Sequence, residues 1–88
     1  MLHVRIEQKG MVLMVRGFRP DGVPLSDLQK QVLSDVIGMF GEKPKASNFP
    51  EKQGLTAEIQ LKDQASALFV LRDLCTGFHS LGAQVAVF

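Results

Sequence analysis

The fold is decided near the start of the chain, where residues 2–16 read LHVRIEQKGMVLMVR. Apolar and polar residues alternate before Lys9 and Gly10, and a second β-prone run follows them. This pattern predicts a tight hairpin whose turn takes its positive φ from the glycine. With Lys9 and Gly10 as the two loop residues, Ile6 faces Leu13 across the hairpin.

The predicted hairpin has one apolar face and one mixed face, because side chains alternate along a strand. The apolar face carries Leu2, Val4, Ile6, Met11, Leu13 and Val15. The mixed face carries His3, Arg5, Glu7, Val12, Met14 and Arg16. Proline and glycine are dense in residues 17–24, which predicts a loop after the second strand.

Two amphipathic helices are predicted further along the chain. Ser26 and Gln29 have the spacing of a capping box, and Gly41 lies where a glycine ends a helix. The apolar stripe of this helix is Leu28, Val32, Leu33, Val36, Ile37 and Phe40. A second helix begins after Asp63 as its N-cap and ends at Gly82. Its stripe is Leu68, Leu71, Cys75 and Phe78, widened by Ala67, Val70 and Leu74.

The remaining segments complete the predicted order β-β-α-β-α-β. Residues 55–61 alternate as a third strand, residues 83–88 form a fourth, and residues 41–54 form a long loop. Residues 1–88 are therefore expected to be a single α/β domain of two layers. It has a four-stranded mixed sheet with two helices on one face, and strands two, three and four are expected to be parallel.

Composition narrows the function classes. A formal charge of +1 argues against a dominant electrostatic partner, so neither nucleic acid nor a membrane surface is expected. Phe88 is the one aromatic residue expected on the outer sheet face, too few for base stacking. The lone Cys75 cannot form an internal disulfide, and a reducing, cytoplasmic location is expected.

No motif in the sequence predicts catalysis, a metal or a cofactor. Gly17 and Gly22 have the spacing of a phosphate loop, but Val23 and Pro24 replace its lysine and hydroxyl residue. A binding function through an exposed surface remains. An apolar strip of Val12, Met14, Ala86 and Phe88 is expected on the uncovered sheet face, where Val12, Met14 and Phe88 are candidates for self-association.

The chain resembles the N-terminal domain family of the septum site-determining protein MinC. The similar parts are VRIEQKG at 4–10, the strand at 11–15, the helix at 28–40, the strand at 55–61 and LGAQV at 81–85. The resemblance implies a non-catalytic division inhibitor without a cofactor, whose partner is the tubulin-like protein FtsZ. It also implies a binding surface at Lys9, Gly10 and Phe40.

Two features depart from that family. The long loop at 41–54 has no counterpart, and the second family domain, a dimerising β-helix that binds the ATPase MinD, is absent. Either the sequence is a domain of a longer chain, or it is a stand-alone relative with another partner. The alternative function is a regulatory adaptor or oligomerisation domain similar to anti-sigma-factor antagonists, with Ser26 at the helix start where that class is phosphorylated.

Overall fold

The computed structural model describes residues 1–46 and 54–88. Its elements in chain order are β1 (His3–Lys9), β2 (Val12–Phe18), α1 (Asp27–Gly38), β3 (Lys45–Ala46), β4 (Leu55–Gln60), α2 (Gln64–Ser80) and β5 (Gln84–Val87). The strand order in the sheet is β3-β4-β2-β1-β5. The expected four-stranded mixed sheet, with two helices in the order β-β-α-β-α-β, is confirmed. The two-residue strand β3 is added at one edge.

The hairpin turn lies one residue later than predicted. Lys9 pairs with Val12, so Gly10 and Met11 are the two loop residues, and Ile6 faces Val15. Gly10 has φ +59 at the first central position of the turn, as a type II′ turn requires. The register differs from the predicted one by two residues, and an even shift leaves every side chain on its predicted face.

The prediction of parallel strands is wrong for the second strand. β4 runs antiparallel to β2, with Gly17 opposite Leu55, whereas β5 runs parallel to β1. The chain between β2 and β4 includes α1 and β3. β4 begins opposite Gly17, at the end of the sheet where β2 ends, so these two neighbouring strands run in opposite directions. The predicted long loop at 41–54 contains β3, so it is not one structureless loop. Residues 47–53 of that predicted loop lie outside the described residues.

Both helix starts agree with their predicted caps. The Gln29 backbone N–H donates to Ser26 Oγ at 3.2 Å, and the Ser26 N–H donates to Gln29 Oε1 at 2.9 Å. The Ser66 N–H donates to the Asp63 carboxylate at 2.8 Å. Gly82, with φ +85, follows the end of α2 as predicted.

The buried stripes of the helices are narrower than predicted. Leu28 is 75% exposed in the first turn of α1, and Leu68 is 71% exposed on α2. The inward residues of α1 are Leu33, Val36 and Ile37, and those of α2 are Ala67, Leu74 and Phe78. Leu68 lies one residue after Ala67, which places it about 100° around the helix from the buried side.

Glycines allow two close approaches at the end of β2, one to α1 and one to the backbone that enters β4. A Cβ on Gly17 would lie 2.4 Å from a methyl carbon of Leu33, which is fully buried in α1. A Cβ on Gly54 would lie 2.2 Å from the Gly17 carbonyl oxygen. The backbone at residue 54 therefore passes directly against the end of β2, where only a residue without a side chain fits.

Candidate functional site

Lys9 and Gly10 lie at the exposed tip of the β1–β2 hairpin. The Gln8 side-chain Nε2 donates a hydrogen bond to the Gly10 carbonyl oxygen at 3.2 Å, which links the end of β1 to the turn. An added Cβ on Gly10 would meet nothing within 4 Å, so its positive φ, not crowding, is what favours glycine there. The tip presents Lys9 to solvent on a turn of defined conformation.

Phe40 follows α1 and is half-buried against the hydrophobic core. Its backbone N–H donates to the Ile37 carbonyl at 3.0 Å, which continues α1 as one tighter turn beyond Gly38. Among the hydrogen bonds, ion pairs and ring contacts of residues 1–46 and 54–88, none joins Phe40 to Lys9 or Gly10. Of the three residues that the resemblance implies, Lys9 and Gly10 therefore form an exposed tip, and Phe40 is a half-buried aromatic residue at the end of α1.

The sheet face opposite the helices, here called the open face, carries the side chains that alternate away from the core. The central row of this face runs across the five strands, with one residue from each strand, and each residue is the cross-strand partner of the next. From β3 to β5, its members are Lys45, Thr56, Arg16, Arg5 and Ala86. Three members of this row are basic. Lys45 was predicted to lie in the loop at 41–54, so its place in this row was not expected.

Aromatic rings flank the basic row on β1, β2 and β5. The His3 and Phe18 ring centroids lie 6.0 Å apart, and the Arg5 guanidinium lies over the Phe88 ring at 4.2 Å from its centroid. Phe18 was predicted to lie in a loop, yet it is the last residue of β2. The alternation of Val12, Met14 and Arg16 continues to Phe18 and was the signal that could have found it.

A shallow depression lies on this part of the sheet. Its volume is about 310 Å³. Its lining comes from β1, β2 and β5 and consists of His3, Val4, Arg5, Phe18, Gln84, Val85, Ala86 and Phe88. The depression thus brings the ring pair and the stacked arginine together on one surface.

The expected apolar strip is not continuous. Val12 and Met14 are half-buried on β2, while Phe88, 65% exposed, follows β5. The strand order places β1 between them, so Arg5 and Glu7 separate the two apolar parts. The strip was expected on the condition that all four strands follow the predicted register, and local alternation does not encode which strands are neighbours. Self-association through Val12, Met14 and Phe88 stays a prediction.

Within residues 1–46 and 54–88, the side chains with shifted pKa values are Asp21 and Cys75. The hydrogen bond from Arg19, at 2.6 Å from Nη2, and the Val23 backbone N–H lower the pKa of the exposed Asp21 carboxyl. Burial raises the pKa of the half-buried Cys75 thiol.

Residues 1–46 and 54–88 hold no group of three or more His, Cys, Asp or Glu side chains placed to bind a metal ion.

No family model matches the sequence, and no curated protein is significantly similar to it. Within the described ranges, neither helix combines the length and the apolar character needed to cross a bilayer.

Proposed function

We propose that this domain is a non-catalytic protein-binding module that binds FtsZ and antagonises the assembly of its polymers in the cytoplasm. The observation that carries the proposal is the hairpin tip, where Lys9 projects from a turn held by Gly10. The element order agrees with the one that the MinC resemblance implies. A preformed tip binds at a lower ordering cost than a flexible loop, and a rim lysine favours an acidic partner surface.

Phe40 contributes to this proposal in a different way. It is half-buried, so it supports the end of α1 from the core and offers only part of its ring to a partner. A substitution to alanine would remove core contacts together with any binding contact. The variant Phe40→Leu keeps most of the apolar volume and separates the two effects better.

The test is sedimentation of FtsZ polymers formed with GTP, with and without an excess of the domain. We expect less FtsZ in the pellet with the native domain and a recovery of pelleting with Lys9→Glu. Lys30→Glu is the matched control, because it makes the same charge change at an exposed position on α1. Circular dichroism on each variant confirms that the fold is retained.

Unchanged pelleting at every excess of native domain would end the FtsZ assignment. Equal loss of inhibition in Lys9→Glu and Lys30→Glu would show that net charge, and not the hairpin tip, is responsible. Inhibition that survives Lys9→Glu but not Phe40→Leu would move the surface to the end of α1.

A stand-alone adaptor or oligomerisation domain is the second candidate. The observation that favours it is the half-buried pair Val12 and Met14 on the uncovered face near the hairpin turn. We expect Met14→Lys to dissociate any oligomer seen in sedimentation velocity. Ser26 is engaged in the capping box, and Ser26→Asp retains a good N-cap residue. A change in partner binding by Ser26→Asp at unchanged stability would support the regulatory role.

A further inference from the structure

The central row of the open face places like charges side by side. Arg5 and Arg16 are directly opposite in the β1–β2 pair, and Lys45 lies two strands from Arg16 across Thr56. Neighbouring strands are about 5 Å apart, so these three cations span roughly 15 Å across the sheet. Guanidinium and ammonium groups are the side-chain groups that contact phosphate oxygens in nucleic-acid complexes.

The basic row adjoins flat surfaces. The Arg5 guanidinium stacks over Phe88, and His3 and Phe18 form a ring pair one row away. The Phe88 side chain remains exposed in spite of this contact. Guanidinium groups and aromatic rings are the groups on which unpaired nucleobases stack.

The acidic residues of the open face lie on the other side of the basic row. Glu7 and Glu58 both flank Met14, one row closer to the hairpin turn. The face is therefore divided into a basic and aromatic part and a neighbouring row that contains two glutamates. Glu58 of that row lines a depression together with Lys45, and Lys9 lies beyond the row at the hairpin end. A net charge of +1 for the chain conceals this division, which is a property of the strand register.

We propose that the basic and aromatic part of the open face binds single-stranded nucleic acid. Phosphates lie along Arg5, Arg16 and Lys45, and bases stack at Phe88 and at the His3–Phe18 pair. An acidic peptide would use the cations but has no need of three adjacent rings. The expectation of no nucleic acid was based on the formal charge of +1 and on a single aromatic residue on this face. The structure adds the Phe18 ring and the Lys45 cation to the face.

The proposal is independent of FtsZ binding, because it shares no residue with the hairpin tip or with Phe40. The chain also supplies a matched control. Arg72 lies over the Phe69 ring at 5.6 Å from its centroid on α2, and Phe69 is 59% exposed, close to the 65% of Phe88. The same substitutions in this second pair make the same chemical change away from the open face.

The experiment is fluorescence anisotropy of a labelled oligouridylate of about ten nucleotides, a length within known single-strand site sizes. We expect saturable binding at low salt below about 10⁻⁴ M protein, the weak limit of non-specific binding. Three phosphate contacts predict a log–log salt slope of about −2, and Arg5→Gln should reduce it by about 0.7. Phe88→Leu should weaken binding about fivefold or more.

Arg72→Gln and Phe69→Leu should leave the affinity and the salt slope unchanged. No anisotropy change up to about 10⁻⁴ M protein would overturn the proposal, and so would equal losses in the two arginine–phenylalanine pairs. Displacement of the oligonucleotide by polyglutamate as readily as by unlabelled oligouridylate would assign the face to an acidic protein segment instead. A dimer in sedimentation velocity that Arg5→Gln dissociates would assign it to a second copy.

Discussion

Substitution of Gly17 tests the closest contact between the sheet and α1. An alanine Cβ at this position would lie 2.4 and 2.6 Å from the two terminal methyl carbons of Leu33. Ordinary carbon contacts are about 3.5–4.0 Å, so one of the two side chains must move. Leu33 has no exposed surface, so the added methyl group overpacks the core.

The expected loss follows from two opposing effects. Overpacking costs about 1–3 kcal/mol, while replacing a glycine within a strand with alanine returns about 0.5–1 kcal/mol. We expect Gly17→Ala to lower the free energy of unfolding by about 1–2 kcal/mol. For a domain of this size, that loss corresponds to a fall in Tm of about 4–16 °C.

The assay is urea and thermal unfolding followed by far-UV circular dichroism, because the chain contains no Trp or Tyr for fluorescence. Gly38→Ala is the control, since a Cβ there meets nothing within 4 Å at the end of α1. That variant should be about 0.4–1 kcal/mol more stable than the native chain.

A double-mutant cycle identifies Leu33 as the cause. Leu33→Val removes the terminal methyl carbons that alanine would meet, at a cost of about 1 kcal/mol. The combined variant should be less destabilised than the sum of the single variants, by about 1 kcal/mol. A neutral Gly17→Ala, or strictly additive effects, would refute the close approach between β2 and α1.

Three further predictions concern the cap, the loop after β2 and the buried thiol. Ser26→Ala should lower the free energy of unfolding by about 0.5–2 kcal/mol through loss of the cap, and equal urea midpoints for the two proteins would contradict this. The pKa of Asp21 is lowered in the folded state, so its contribution to stability is present above its ordinary pKa and is lost as the pH falls through the lowered value. Arg19→Gln should raise the Asp21 pKa in a carboxyl NMR titration, and an unmoved titration would exclude the pair as its cause. Burial raises the pKa of Cys75, so iodoacetamide should alkylate it more slowly in the native protein than in urea at the same pH. Equal rates would show that the thiol is not protected.

The candidate surfaces differ in how far the sequence could predict them. Lys9 and Gly10 were predicted as the two loop residues of the hairpin from the local pattern. The structure keeps Gly10 in the loop and makes Lys9 the last residue of β1, paired with Val12. Phe40 was predicted at the end of the first helix, but its partial burial follows from packing against the core. The basic row could not be predicted, because Arg5, Arg16 and Lys45 meet only through strand pairing.

The sequence by itself determined the elements, their caps and the inward face of each strand. These features depend on interactions between residues a few positions apart: the capping box at Ser26, the alternation around Ile6 and the positive φ of Gly10. Only the tertiary structure decided strand order and direction: β4 pairs antiparallel with β2, and β5 pairs parallel with β1. That order places β1 between β2 and β5, divides the apolar strip, and aligns the charges and rings of the open face. Local periodicity is the same for parallel and antiparallel neighbours, so no pattern in the sequence distinguishes them.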